Sequence, residues 1–192
     1  GVASVSIDGS AITDASDALI VSNGYAGTGT TALKFNITGG AGNDSIEGAS
    51  GADTLSGGSG VDTLKGFTGS DVITGGAGAD SIDGGTGSNT IDGGAGSDTI
   101  TVSSGASTDA NSIVGGAEND SIVGGAGADT ISGDDGNDTV NAGGGNDVVT
   151  GGAGNDAITA GAGNDNLSGG DGNDTFTFAG ELTYDDTVAG GD

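Results

Sequence analysis

The chain has no cysteine, proline, methionine, histidine or tryptophan, and its aromatic residues are four Phe and two Tyr among 192 residues. Without cysteine there is no disulfide, no thiolate metal site and no Cys nucleophile. Without histidine most zinc chemistry and the usual general base are gone as well. So few aromatics cannot fill an ordinary globular interior, and some other cohesive element is required. Positive charge is almost missing too: Lys34 and Lys65 stand against 28 Asp and Glu, a formal net charge of −26. Nucleic acid is therefore a poor partner, because phosphate backbones are gripped by Lys and Arg, and an anionic membrane surface repels such a chain. No run reaches the roughly 18 apolar residues of a membrane span, and no n-region and h-region of a secretory signal is present. The chain begins at Gly1 and not at Met, as expected of a processed chain or a fragment. Composition alone describes a self-repelling polymer whose natural complement is soluble cations.

What is abundant is glycine, 46 residues of it, arranged with a period of nine from Gly39 to Thr101 and again from Ala106 to Thr177. The first unit reads GGAGNDSIE, and fifteen units follow this register. The sixth position is Asp in thirteen of them: Asp44, Asp53, Asp62, Asp71, Asp80, Asp98, Asp120, Asp129, Asp138, Asp147, Asp156, Asp165 and Asp174. Asn89 and Asn111 occupy the other two. The eighth position is apolar throughout, from Ile46 to Phe176, and nothing else in the repeat is reliably large and apolar. Glycines at the first and fourth positions permit tight turning. The last three residues of a unit, such as Thr99-Ile100-Thr101, are expected to form a short strand with one side chain inward and two outward.

One such strand cannot bury its apolar residue alone. Two successive units make a coil of eighteen residues whose strands face each other, and stacking these coils at about 4.8 Å satisfies the strand backbone through the coils above and below. The sixth positions of turns two units apart then lie over one another, Asp44 over Asp62 and Asp53 over Asp71. Carboxylates about 5 Å apart repel by a few kcal/mol per pair even at high effective dielectric, so something positive must sit between them. Calcium suits this place, since it takes six to eight oxygen ligands and glycine-rich turns can offer carbonyls beside each carboxylate. Magnesium demands a tighter octahedron, and zinc wants nitrogen or sulfur. Of the stacked pairs, those touching Asn89 or Asn111 are weaker, and the remainder call for about ten Ca2+ ions, which would cancel roughly 20 of the negative charges.

Units such as GGAGADSID, GGAGNDAIT and GGDGNDTFT resemble the repeats-in-toxin (RTX) nonapeptide GGxGxDxUx. The resemblance covers Gly39 to Thr177 and departs at Asn89, Asn111, Asp109 and Glu118. It implies an all-β fold, a right-handed parallel β-roll or β-solenoid with eighteen residues per coil, together with type I secretion and folding outside the cell. The Ser-, Thr-, Ala- and Gly-rich, cysteine-free composition is similar to that of RTX-type bacterial surface-layer proteins.

The organisation expected is a β cap or assembly strands over 1–38, the roll over 39–177 with a four-residue insertion at 102–105, and a C-terminal cap over 178–192. Val5 and Ile7, Leu19 to Val21, and Leu33, Phe35 and Ile37 read as strands in the first segment, and Asn23-Gly24 is a hairpin signal. No phosphate-binding G-K-[ST], nucleophile elbow or HExxH is present, so an enzyme is not expected. The leading functional expectation is a secreted, extracellular, calcium-dependent structural protein at the cell surface, which assembles with copies of itself into a surface layer or filament. Its folding would follow calcium in the 10⁻⁴–10⁻³ M range typical of extracellular modules. A cell-surface polysaccharide is a further candidate partner. The alternative is a calcium-triggered folding and secretion module of a larger secreted enzyme, toxin or adhesin.

Overall fold

A computed structural model describes residues 4–9, 20–21, 34–103, 108–178 and 186–191. Among these residues there are strands and turns and no helix, wound into a parallel β-solenoid of about eight coils with about eighteen residues per turn. The chain visits two sheets alternately. One has ten strands, running from Ser4–Asp8 through Lys34–Gly40 and Thr54–Ser59 to Thr187–Ala189. The other has nine, from Ile20–Val21 through Ser45–Ala49 to Thr175–Thr177. All strand pairings are parallel, and in the regular coils partners are eighteen residues apart, as in Leu55↔Ile73 and Ile82↔Ile100.

The eighth position explains the interior. From Ile37 to Leu167 these side chains are at most 1% exposed and form one continuous core between the two sheets. Seventh and ninth positions point outward, so a strand of three residues contributes a single inward side chain. The core is therefore two facing ladders of aliphatic residues, capped at the ends by the partly buried Ile7, Phe35, Phe176 and Phe178.

Strand length differs from the sequence expectation in one sheet. The nine-stranded sheet keeps three-residue strands over most of its length, such as Ser81–Asp83. The ten-stranded sheet has strands of six, such as Val72–Ala77, because it continues into the second and third positions of the next unit. Glycine makes this extension possible: Gly76 has φ +120°, and a side chain there would run into the carbonyl oxygen of Gly58. On the opposite edge, third-position pairing outside the strands is limited to the bridges Thr68↔Thr86 and Gly144↔Ala162.

The register also moves the insertion. Val102 N–H donates to the Val123 carbonyl at 3.1 Å, as Gly84 N–H does to that of Thr101, so Val102 holds a first position; Ser103 N–H donates to the Gly85 carbonyl at 3.1 Å. Gly87 N–H donates to Asp109 Oδ2 at 3.1 Å, and Asn89 N–H to Asn111 Oδ1 at 2.9 Å, which puts Asp109 and Asn111 at the fourth and sixth. Val102, the first residue of the insertion expected at 102–105, thus lies in the repeat, and residues 104–107 are outside the described residues. Valine stays in the stack because its side chain joins the core, 5% exposed.

Both end segments contribute strands to the roll. Ser4–Asp8 pairs in parallel with Lys34–Gly40, and Ile20–Val21 pairs in parallel with Ser45–Ala49 in the opposite sheet. Strands on either side of Asn23-Gly24 thus lie in different sheets and do not form a hairpin; the pair itself is outside the described residues. At the other end, Thr187–Ala189 pairs in parallel with Asn166–Asp171.

Truncating the core should cost far more than truncating the surface. Ile100→Ala is expected to lower the unfolding free energy of the calcium-loaded chain by about 2–5 kcal/mol, whereas Val72→Ala, on an outward row, should stay within about 0.5 kcal/mol. Chemical denaturation of the two variants side by side checks this.

Candidate calcium-binding columns

Each turn must change direction between the sheets, and at the corner a backbone N–H loses its ladder partner. The sixth-position side chain of the next coil supplies the replacement. Asp44 N–H donates to Asp62 Oδ1 at 2.7 Å, Asp62 N–H to Asp80 Oδ1 at 2.8 Å, and Asp120 N–H to Asp138 Oδ1 at 2.8 Å. On the other edge Asp53 N–H donates to Asp71 Oδ1 at 2.8 Å and Asp129 N–H to Asp147 Oδ1 at 2.8 Å. The carbonyls of these same residues accept from the strand that follows, as Thr63 N–H donates to Asp44 O at 2.8 Å. The carboxylate thus stands in for a missing backbone acceptor at every corner.

The thirteen aspartates singled out by the sequence fall into two columns. Asp44, Asp62, Asp80, Asp98, Asp120, Asp138, Asp156 and Asp174 line one edge; Asp53, Asp71, Asp129, Asp147 and Asp165 line the other, with Asn89 and Asn111 between Asp71 and Asp129. All are buried except Asp174, which is half-buried in the last coil of its column. The second column has a member that periodicity did not reveal: Asp165 N–H donates to Asp186 Oδ1 at 2.9 Å, and Thr187 N–H donates to Asp165 O at 2.8 Å. Asp186-Thr187-Val188-Ala189-Gly190-Gly191 occupies positions six to two of a further unit. Its offset of 21 residues instead of 18 hides it from a search at fixed period.

The second carboxylate oxygen carries the chemistry. Oδ2 of ten of these aspartates, among them Asp62, Asp71, Asp120 and Asp147, is buried without a hydrogen-bond partner. Except at Asp147, whose unit begins with Ala142, it sits against the first-position glycine of its own unit, at the place a side chain would fill, and except at the terminal Asp174 that place also adjoins the first-position carbonyl of the next coil. A Cβ on Gly48 would lie 2.5 Å from Asp53 Oδ2 and 2.9 Å from the Gly66 carbonyl oxygen; on Gly75 it would lie 2.5 Å from both Asp80 Oδ2 and the Gly93 oxygen. Two oxygens face one another with no hydrogen between them.

Such an arrangement must take up positive charge, because an unpaired buried carboxylate costs several kcal/mol. A proton is one source. Burial, the largest cause, pushes Asp62 and Asp80 up to about 6 and Asp71, Asp120 and Asp147 up to about 7, with neighbouring carboxylates adding to the rise and backbone N–H donors opposing it. A hard cation is the other, and the donors fit one: carboxylate and carbonyl oxygens alone, with no nitrogen or sulfur. Among the described residues no group of three or more Asp, Glu, His or Cys side chains forms a metal cluster, so backbone carbonyls must share the coordination with the carboxylates.

A parallel roll whose corners are lined by paired carboxylates and glycine carbonyls is a calcium-binding β-solenoid by construction. The RTX calcium-binding nonapeptide repeat matches four times, at residues 36–64, 65–100, 106–140 and 141–176, and the chain belongs to that family. Its repeats bind Ca2+, its β-roll is a structural fold and not catalytic in itself, and the proteins that carry it are typically secreted and extracellular. No curated protein matches the chain as a whole.

Two outcomes follow from the divided carboxylate. Asp138→Asn keeps an oxygen acceptor for Asp120 N–H and should retain the corner while weakening calcium binding; Asp138→Ala should lose both, with an added stability loss of about 1.5–3 kcal/mol for the missing charged hydrogen bond. Calcium titration and denaturation of the pair separate the two roles. For pH, the folded values lie above the ordinary 3.8, so the folded chain binds more protons. That stabilisation is complete below the ordinary value and disappears as pH rises through about 6 to 7. In chelator, sheet signal and compactness should therefore increase on going from about pH 8 to about pH 5. With calcium the sign reverses, since protons compete for the same oxygens and apparent affinity should fall over that window.

Proposed function

We propose that the chain is an extracellular, calcium-dependent structural protein that folds on calcium after secretion and assembles with copies of itself into a surface layer or filament. The observation that carries the assembly is the outward face of the ten-stranded sheet. On the rows flanking its buried residues, from Thr54 to Ser168, Asp92 is the only charged side chain; the rest are Thr, Ser, Val and Asn. Val72 and Val148 stand on this face 47% and 45% exposed. Calcium offsets the buried columns, but among the remaining surface charges Lys34 and Lys65 are the only positive side chains of the sequence, so copies repel where acidic groups meet. Flanking rows that carry one charge among Ser, Thr, Val and Asn side chains are where two such molecules can meet with least repulsion.

The nine-stranded sheet offers a less neutral face, since Glu47, Lys65 and Asp83 are successive partners on one outward row. Calcium supports the same reading from the other side, because it neutralises the buried columns that otherwise keep the coils apart. Nothing in the fold requires a catalytic residue for this role.

At about millimolar calcium, size-exclusion chromatography and electron microscopy should show ordered polymers. The double variant Val72→Asp/Val148→Asp should abolish them while keeping the calcium-induced sheet signal. A native chain that folds completely with calcium and stays monomeric would overturn the assembly, and would favour the reading of a calcium-triggered folding module within a larger secreted protein.

A further inference from the structure

The second column is interrupted at its centre, and there the residues do not fit a cation. Asp71 N–H donates to Asn89 Oδ1, Asn89 N–H to Asn111 Oδ1, both at 2.9 Å, and Asn111 N–H to Asp129 Oδ1 at 2.7 Å. These bonds fix which end of each amide receives the corner N–H, so the NH2 groups must occupy the place taken by Oδ2 elsewhere. Asn111 Nδ2 donates to the Gly124 carbonyl at 3.3 Å and to Asp129 Oδ1 at 2.9 Å; Asn89 Nδ2 donates to the Gly87 carbonyl at 3.2 Å. The Gly124 carbonyl belongs to the first position of the next coil, the counterpart of the oxygens that face carboxylates along the rest of the columns. Here it already has a hydrogen.

Space points the same way. In the regular coils the site beside the first-position glycine is lined by oxygen, but beside Gly84 it is filled by hydrocarbon: a Cβ there would lie 2.7 Å from Val102 Cγ1 and 2.8 Å from Ile91 Cδ1. Val102 is the one first-position residue among the fifteen units that is neither Gly nor Ala, given the register described above. It also lies beside the stretch in which the sequence carries four residues more than the repeat.

We infer that the steps from Asn89 through Asn111 to Asp129 form a metal-free seam, in which amide hydrogens and the Val102 side chain replace calcium. The seam holds the coils in register at the place where the additional residues break a turn. It divides the ions of the second edge into two groups, while those of the first edge run without a gap. This rests on calcium occupying the aspartate steps, and the experiment tells the two apart.

Crystals of the calcium-loaded native chain should show anomalous calcium peaks along the whole first column and on both sides of the gap in the second, including one beside Asp71 Oδ2, with none between Asn89 and Asp129. A peak level with Asn89 or Asn111 overturns the seam and leaves the aspartate sites standing; a folded roll without peaks in either column overturns both. A gain-of-site variant gives an independent reading. Val102→Gly/Asn89→Asp/Asn111→Asp restores the repeat residues at the two interrupted steps and should hold about two more ions than the native chain by native mass spectrometry. Equal counts in the two folded proteins would overturn the inference, and should the variant fail to fold, the anomalous map of the native chain decides alone.

Discussion

The structure depends on a carboxylate that does two things at once. At each corner Oδ1 accepts the backbone N–H of the coil before it, and Oδ2 is left facing a carbonyl oxygen. The first interaction is conformational and would be made as well by an amide, as Asn89 and Asn111 demonstrate. The second is electrostatic and cannot be made by an ionised carboxylate alone. Because both oxygens belong to one side chain, the coil cannot close its corner without creating a demand for positive charge. Stacking and cation binding are thereby one event, which is the physical content of linkage between metal and fold.

This arrangement also accounts for the thin interior. Each half-coil contributes one Ile, Leu or Val, and the two facing ladders make a core without a large aromatic centre. That core is continuous but narrow, and a narrow core does not by itself offset the ordering of a long, glycine-rich backbone, which loses more conformational freedom than any other. Glycine is nevertheless favoured at both of the first two positions. At most first positions a side chain would crowd the carboxylate, although Ala142 and Ala160 are accommodated, and at most second positions the chain takes a positive φ against the carbonyl of the preceding coil. Phe67 and Asp134 show what replacing the second-position glycine involves, since both hold φ near +70° on the surface.

Much of this was legible in the sequence because the repeat is exact in length where it matters. A period of nine fixes the eighth position as core and the sixth as corner, and the stacking of Asp44 on Asp62 follows from two units per coil. What the period could not show were the events that break it. Asp186 is displaced by three residues from its expected place, and Val102 looks like the start of an insertion although its side chain sits in the core. In both cases the pattern of inward and outward residues survives while the count fails, so the signal resides in the residue types and not in their spacing. The extra length of the ten-stranded sheet was hidden for another reason: it is made by glycines, whose side-chain pattern carries no alternation to read. Asn23-Gly24 misled in the opposite way, as a local turn preference beside strands that pair with coils distant in sequence.

The seam and the columns together suggest why a chain of this kind is built from corners and not from a larger core. A greasy interior folds wherever there is water, whatever the ions present. Carboxylates placed inside a coil instead make folding conditional on what neutralises them, and protons and calcium are alternatives with opposite pH dependence. At neutral pH without calcium the ten orphaned oxygens would each have to be buried as an unpaired charge or protonated at a cost, and on the proposed reading the extended, self-repelling polymer is then the favoured state. On the reading proposed above, calcium removes that cost corner by corner along both edges; at Asn89 and Asn111 the sequence itself leaves no carboxylate to neutralise.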